Sequence, residues 1–211
     1  MTELVFILDR SGSMYGLEQD TIGGFNSMLA KQKADSSEAY VTTVLFDHRI
    51  RTLHDRLPLQ EVKPMTEADY TVGGSTALLD AVGSTIKHIA RIHKYAHPDH
   101  KPDKTLFVII TDGMENASRE YSYDTVKQLI THEQEKYGWE FLFLGANIDA
   151  AAEGARFGIA ADRSVTYKCD EEGTALNYEV LSEAVTPVRA CGAMPTAWSD
   201  RIKNDVYKRG R

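Results

Sequence analysis

Oxygen-bearing side chains stand at every second position near the start of the chain, where an apolar run ends in Asp9 and is followed by Ser11 and Ser13. Thr76 lies in a later glycine-rich stretch, and Asp112 follows a second apolar run. Carboxylates and hydroxyls form a donor set that suits a hard divalent cation, with Mg²⁺ first and Mn²⁺ or Ca²⁺ as alternatives. These residues are therefore the candidate metal ligands.

Zinc is disfavoured as the bound ion because no His or Cys lies in the segments that carry the five candidates. Only the two aspartates carry charge, so the candidates leave a divalent ion with unfilled coordination positions. An ion held in this way can take a further oxygen ligand from outside the chain.

Apolar runs alternate with helical patterns along the chain. The runs at 4–8, 104–110 and 139–144 are almost entirely apolar, which is typical of parallel strands buried on both faces. Helical stripes separate them, most clearly at 17–33 and 77–95. The pattern predicts an α/β fold with a doubly wound, mostly parallel central sheet and helices on both faces.

A short connection joins two further strand-like segments at 40–46 and 50–57. This spacing is typical of a hairpin, so we expect one antiparallel edge strand. In open α/β sheets, function gathers at the carboxyl ends of the strands. The loops that carry the candidate ligands are therefore expected to meet at one rim of the sheet.

The length and the net charge of the chain limit the classes of protein to which it could belong. The 211 residues, of which 42% are hydrophobic, suit one domain at 1–190, with a polar basic tail at 191–211 that is either solvated or docked. The net charge of -7 gives no electrostatic reason to bind nucleic acid. The longest apolar run is too short to cross a membrane, and no signal peptide is visible. We expect a soluble, cytoplasmic protein without nucleic-acid or membrane partners.

Three parts in order carry a resemblance to a known family: Asp-x-Ser-x-Ser at 9–13 after the first strand, Gly-Gly-Ser-Thr at 73–76, and Thr-Asp-Gly at 111–113 after a buried strand. Together they resemble a von Willebrand factor A domain with an intact metal-ion-dependent adhesion site (MIDAS). The resemblance covers roughly residues 1–170 and extends to the order of the elements. It is closest to standalone bacterial or phage members.

The resemblance implies a role for each candidate. Ser11 and Ser13 would bind the ion directly, and Asp9 would hold metal-bound water and orient the serines. Thr76 and Asp112 would bind directly or through water. In this family, the open coordination position takes an Asp or Glu side chain of a partner protein, and members with this site are binding modules, not enzymes.

Two other functions compete with this interpretation. A Mg²⁺-dependent phosphoester hydrolase also places an aspartate after its first strand, but it needs a second carboxylate two residues later, where this chain has Ser11. The second alternative is an adaptor that binds partners through the basic segment at 191–211 without metal.

Overall fold

A computed structural model describes residues 1–210 and contains a central sheet of six strands. In chain order the strands are β1 (Thr2–Asp9), β2 (Ala39–Phe46), β3 (Ile50–Pro58), β4 (Lys104–Thr111), β5 (Glu140–Ala146) and β6 (Ser164–Tyr167). Their spatial order is β3-β2-β1-β4-β5-β6, and only the β2–β3 pair is antiparallel. The predicted fold class is confirmed, including the antiparallel edge strand.

Helices cover both faces of the sheet. They are α1 (Glu18–Lys33), α2 (Leu78–Tyr95), α3 (Tyr123–Tyr137), α4 (Ala150–Arg156), α5 (Glu171–Cys191) and α6 (Asp200–Lys208). Side chains of α1, α5 and α6 form one core cluster with the sheet, and side chains of α2 and α3 form the other. Among the helices of residues 1–210, none combines the length and the apolar character that crossing a bilayer requires.

The central strand β1 explains why both faces need helices. Its Phe6 and Leu8 belong to the cluster on the α1 and α5 side, whereas Val5 and Ile7 belong to the opposite cluster. Successive side chains of a strand point to opposite faces, so an uninterrupted apolar run requires cover on both sides. Pairing with β2 and β4 along its length then fixes where the strand ends, at Asp9.

The end of the chain packs on the fold as far as the structure describes it. For residues 191–211 the charges predict a polar basic tail, but Met194, Trp198 and Ile202 recur at every fourth position and are buried in the α1 and α5 cluster. On the outer side of α6, Arg201 pairs with Glu183 of α5 (2.7 Å). The polar character therefore describes only the exposed side of this segment, and the division of the chain at residue 190 stays a prediction.

The two outermost strands differ in how they are built. β3 pairs with β2 with register shifts between Val41 and Val44, and its Arg56 has a positive φ of 48°. β6 is a short strand of four residues, and α6 packs against it.

Candidate metal centre

Asp9 lies at the carboxyl end of β1, in the middle of the sheet, and only 2% of its surface is exposed. Its Oδ1 accepts a hydrogen bond from the backbone N–H of Ser11 (2.7 Å), and its Oδ2 accepts one from the hydroxyl of Thr111 (2.6 Å). The Tyr70 hydroxyl donates to the backbone carbonyl of Asp9. The carboxylate is therefore fixed in orientation and holds the following loop against the end of the strand.

The hydroxyls of Ser11 and Ser13 and the carboxylate of Asp112 form a continuous chain of oxygen atoms. The two Oγ atoms are 3.1 Å apart, and Ser13 Oγ donates to Asp112 Oδ1 (2.6 Å). A single 3-10 turn, Gly12–Met14, sets the spacing of the serines, and the buried side chain of Met14 anchors that turn. The structure thus brings three of the predicted ligands into direct contact.

Thr76 reaches the same place from the loop before α2. A Cβ added to Gly113 would lie 3.2 Å from Thr76 Oγ1 and 3.4 Å from Ser13 Oγ, so both hydroxyls border the space that a side chain at residue 113 would need. Glycine after Asp112 therefore keeps open a small cradle lined by oxygen atoms. All five predicted ligands meet at this rim, with Asp9 behind the serines.

Glu115 and Asn116 hold the Thr76 loop in place. The backbone N–H of Thr76 donates to Asn116 Oδ1 (2.9 Å), and the N–H of Asn116 donates to the carbonyl of Thr76 (3.0 Å). The carboxylate of Glu115 accepts hydrogen bonds from the backbone N–H groups of Leu79 (2.9 Å) and Ala117 (2.8 Å). The loop after β4, which carries Asp112, therefore also positions Thr76.

The first loop is joined to the glycine-rich stretch through its backbone. The N–H of Gly12 donates to the carbonyl of Gly74 (3.0 Å), and the N–H of Gly73 donates to the carbonyl of Arg10 (3.0 Å). Gly74 has φ of +78°, and a Cβ there would come within 2.2 Å of the His48 ring. Only glycine fits this position, which explains why the sequence carries a glycine pair directly before Ser75 and Thr76.

Sequence reasoning missed three residues that contact the candidate ligands: Thr111, Tyr70 and Cys169. Thr111 adjoins Asp112, so its place at a strand end was a usable signal. Cys169 follows β6, and its thiol lies 3.8 Å from Asp112 Oδ2. The loops that carry the five ligands contain no His or Cys, but Cys169 places a sulfur atom next to Asp112. Zinc is therefore disfavoured less strongly than the sequence of those loops indicates.

Burial makes the charged form of both aspartates unfavourable. Burial raises the pKa of Asp9 to about 6, and the charge of Asp112 adds to this, although hydrogen bonds from Thr111 and Ser11 oppose it. Burial also raises the pKa of Asp112, against the hydrogen bond from Ser13. Arg10, the cation of the first loop, pairs with Asp47 instead (3.2 Å).

These observations fit a divalent cation. The Asp112 carboxylate and three neutral hydroxyls meet at one cradle, with the Asp9 carboxylate behind them, and oxygen donors of this kind are what Mg²⁺ prefers. Across residues 1–210, no group of three or more His, Cys, Asp or Glu side chains is placed to hold a metal ion. Metal binding at this rim would therefore depend on the hydroxyl groups as well as the carboxylates.

Solved structures resemble this arrangement of strands and helices. A von Willebrand factor type A protein from Catenulispora acidiphila matches with a TM-score of 0.55 and 15% identity, over 87% of this chain and 42% of that one. The ArnB paralog VWA2 from Sulfolobus acidocaldarius matches with a TM-score of 0.52 and 19% identity, over 87% and 44% of the two chains. The chain has the von Willebrand factor A fold.

A third structure with this fold holds a metal. Proximal thread matrix protein 1 from the mussel byssus, with a zinc-occupied MIDAS motif, matches with a TM-score of 0.58 and 14% identity, over 87% of this chain and 45% of that one. No family model and no curated protein sequence matches the chain. The chain spans less than half of the length of these three structures, and at these identities the likeness is one of fold.

The von Willebrand factor A fold accounts for how the five residues come together. In this chain, the loops after β1 and β4 and the loop before α2 all open at the carboxyl ends of the central strands. The sheet order places β1 beside β4, which explains why Asp9 and Asp112, far apart in the sequence, end at the same rim.

Proposed function

We propose that this domain is a metal-dependent protein-binding module and not an enzyme. Asp9, Ser11, Ser13, Thr76 and Asp112 would hold Mg²⁺, with Mn²⁺ or Ca²⁺ as substitutes. When bound, the ion would supply an electrophilic centre whose open position accepts a carboxylate oxygen from an Asp or Glu of a partner protein. The observation that carries the proposal is the chain of oxygen atoms from Ser11 through Ser13 to Asp112.

The balance of charge in the site supports capture of a carboxylate. Two carboxylates neutralise a divalent ion but do not fill its coordination, and hydroxyl ligands add no charge. Because Asp9 lies behind the serines, Asp112 would be the one charged group to bind the ion directly, so the ion would keep positive charge and attract a further anionic oxygen from outside. Ser13 lies at the surface, whereas Ser11, Thr76 and Asp112 are buried, so the site is open on the side of Ser13.

The hydrogen bonds and the burial of Asp9 disfavour a phosphoester hydrolase. A nucleophilic aspartate needs a free oxygen that can reach the substrate. Both oxygens of Asp9 accept hydrogen bonds, from Ser11 and Thr111, and the residue is almost fully buried. Asp9 is better placed to orient the serine loop than to attack a phosphorus atom.

Calorimetric titration with Mg²⁺ and Mn²⁺ tests the metal site. We expect saturable binding to the wild-type protein, with a loss of about 100-fold in affinity for Ser13→Ala, which removes a hydroxyl ligand, and for Asp112→Asn, which replaces a charged carboxylate with a neutral amide. Ser27→Ala, at an exposed serine of α1, is the matched control and should bind as the wild type does. Undiminished binding by both site variants would overturn the assignment of the ligands.

Short peptides test the capture of an acidic residue. With Mg²⁺ present, peptides that contain Glu or Asp should bind, and the same peptides with Gln or Asn should not. Chelation with EDTA and the Asp112→Asn variant should each abolish binding. Peptide binding that survives EDTA but is lost when the exposed Lys203 and Lys208 are both changed to Ala would favour the metal-independent adaptor, and turnover of phosphoesters would favour the hydrolase.

A further inference from the structure

A second cavity opens at the other end of the sheet from the metal centre. It has a volume of about 640 Å³ and lies where α2 and α3 end and where β4 and β5 begin. Cavities of roughly 300–1,000 Å³ are typical of sites for small molecules. Three features of its wall bear on what it would bind: a buried carboxylate, exposed cations and aromatic rings.

The carboxylate is that of Glu133, a residue of α3 that is 4% exposed and borders the cavity. Its Oε2 is fully buried and accepts no hydrogen bond from any group in residues 1–210. His93, which also borders the cavity, is committed elsewhere, since its Nε2 lies 3.2 Å from the buried Glu3 Oε2. A buried acceptor without a donor is unfavourable by roughly 1–3 kcal/mol. A small rotation of the Glu133 side chain toward the cavity would let a ligand with N–H groups relieve it.

The outer wall of the cavity is cationic. Arg91, Lys94 and Lys101 border it and are exposed, and none of them takes part in the ion pairs formed within residues 1–210. The other carboxylate of the wall, Asp103, is paired with the amino group of Met1 (2.6 Å). The free charge at the mouth is therefore positive and suits a phosphate group.

Aromatic residues supply the rest of the wall. Tyr95 and Tyr137 end α2 and α3, border the cavity, and are 74% and 56% exposed. Trp139 lies between them and the core, stacked on Phe107 at 5.2 Å. The carboxyl ends of α2 and α3 also carry partial negative charge, which favours ligand groups that donate hydrogen bonds. Exposed rings beside an acceptor-rich interior suit a flat heterocycle with N–H groups.

We infer that this cavity binds a guanine nucleotide. The ring would lie against Tyr95 and Tyr137 and donate its N–H groups to Glu133, since an ionised carboxylate only accepts hydrogen bonds and guanine offers adjacent donors. The phosphate would lie among Arg91, Lys94 and Lys101. Binding at this end of the sheet is independent of the metal centre and of the proposed function.

Calorimetry with GMP, UMP and ribose 5-phosphate, all in EDTA, tests the inference. We expect GMP to bind saturably below about 1 mM, and UMP and ribose 5-phosphate to bind at least about fivefold more weakly. UMP offers one N–H between two carbonyl groups instead of two adjacent donors, and ribose 5-phosphate has no base. Absence of saturation by GMP up to about 5 mM, or binding of either other compound within about fivefold of GMP, would overturn the inference.

Substitutions in the wall of the cavity test whether GMP binds there. Glu133→Gln should weaken GMP at least about tenfold while leaving ribose 5-phosphate unchanged, and it removes an uncompensated buried charge, so the variant should fold. Lys94→Ala/Lys101→Ala should weaken both compounds. Lys87→Ala is the matched control, because Lys87 is an exposed residue of α2 that lies over the Tyr121 ring, outside the cavity. Equal GMP affinity of the wild type and both cavity variants would overturn the assignment.

Discussion

Gly113 is the residue on which the approach of two hydroxyls depends. Its lack of a side chain leaves room for Thr76 Oγ1 and Ser13 Oγ on the same side of Asp112. In Gly113→Ala, the new methyl group would press on Thr76 Oγ1 at 3.2 Å and displace it by a few tenths of an ångström, and it would come into contact with Ser13 Oγ at 3.4 Å. We expect Mg²⁺ affinity to fall at least about tenfold in calorimetry, while the free energy of unfolding changes by less than about 1 kcal/mol.

Gly23→Ala is the control for this substitution. Gly23 lies in α1, and a Cβ added there would have no other atom within 4 Å, so alanine should be tolerated and should favour the helix. Metal affinity equal to wild type in both variants would show that the space at residue 113 is unimportant for the site.

The buried carboxylate of Asp9 should give the metal-free protein an unusual dependence on pH. Its folded-state pKa is about 6, above the ordinary value of 3.8, so the folded state binds more protons than the unfolded state between these two values. Stability from this group is therefore present at low pH and is lost as the pH rises toward 6. The full loss corresponds to about 3 kcal/mol.

Urea denaturation in EDTA checks this expectation. Asp9→Asn cannot ionise, so it should gain stability relative to the wild type by roughly 1–3 kcal/mol between about pH 4.5 and 7. Adding Mg²⁺ should reverse the gain at neutral pH, because a cation favours the ionised form of Asp9. A constant difference between the two proteins across this range would contradict a raised pKa of Asp9.

At the scale of elements, α6 should contribute to stability although its sequence is mostly charged. Ile202 is 1% exposed and packs in the core cluster of α1 and α5. Ile202→Ala should lower the free energy of unfolding by roughly 2–5 kcal/mol, as measured by chemical denaturation, because it leaves a cavity. Tyr207→Ala, on the same helix at 87% exposure, should change it by less than about 0.5 kcal/mol. Equal effects of the two substitutions would mean that α6 does not dock in solution.

Most elements could be predicted because their signals are local. The apolar run before Asp9 and the stripe that begins at Leu78 each report burial through their own periodicity. In α6 and the segment before it, only three apolar residues recur at the helical spacing, namely Met194, Trp198 and Ile202. The charged residues around them outnumber them and hide the pattern. A short helix that depends on packing for its stability has a weak local signal.

The residues of the candidate site also divide into those with a local sequence signal and those without one. The spacing of Ser11 and Ser13 is local, and their turn is visible in the sequence. The contacts of Tyr70 with Asp9 and of Cys169 with Asp112 depend on the meeting of segments that are distant in the chain. A single sequence contains no signal for such a meeting, so these neighbours could be found only from the structure.

At the scale of the whole molecule, metal binding should stabilise the folded state. A ligand that binds only the folded form stabilises it by about 2.7 kcal/mol at 100 times its dissociation constant. For a chain of this length, we expect Mg²⁺ to raise the Tm by roughly 5–10 °C in differential scanning calorimetry. EDTA should reverse the rise, and Asp112→Asn should show none. An equal rise in that variant would indicate that the ion acts elsewhere on the molecule.

Both margins of the sheet have features that discourage pairing with a strand from another molecule. The register shifts between β2 and β3 and the positive φ of Arg56 interrupt the regular hydrogen-bonding row of one margin. At the other, β6 is only four residues long and has α6 against it. Irregular, short or covered edge strands are the usual protection against aggregation. We therefore expect copies of this domain not to join through their sheet edges at high concentration, which size-exclusion chromatography over a range of concentrations would check.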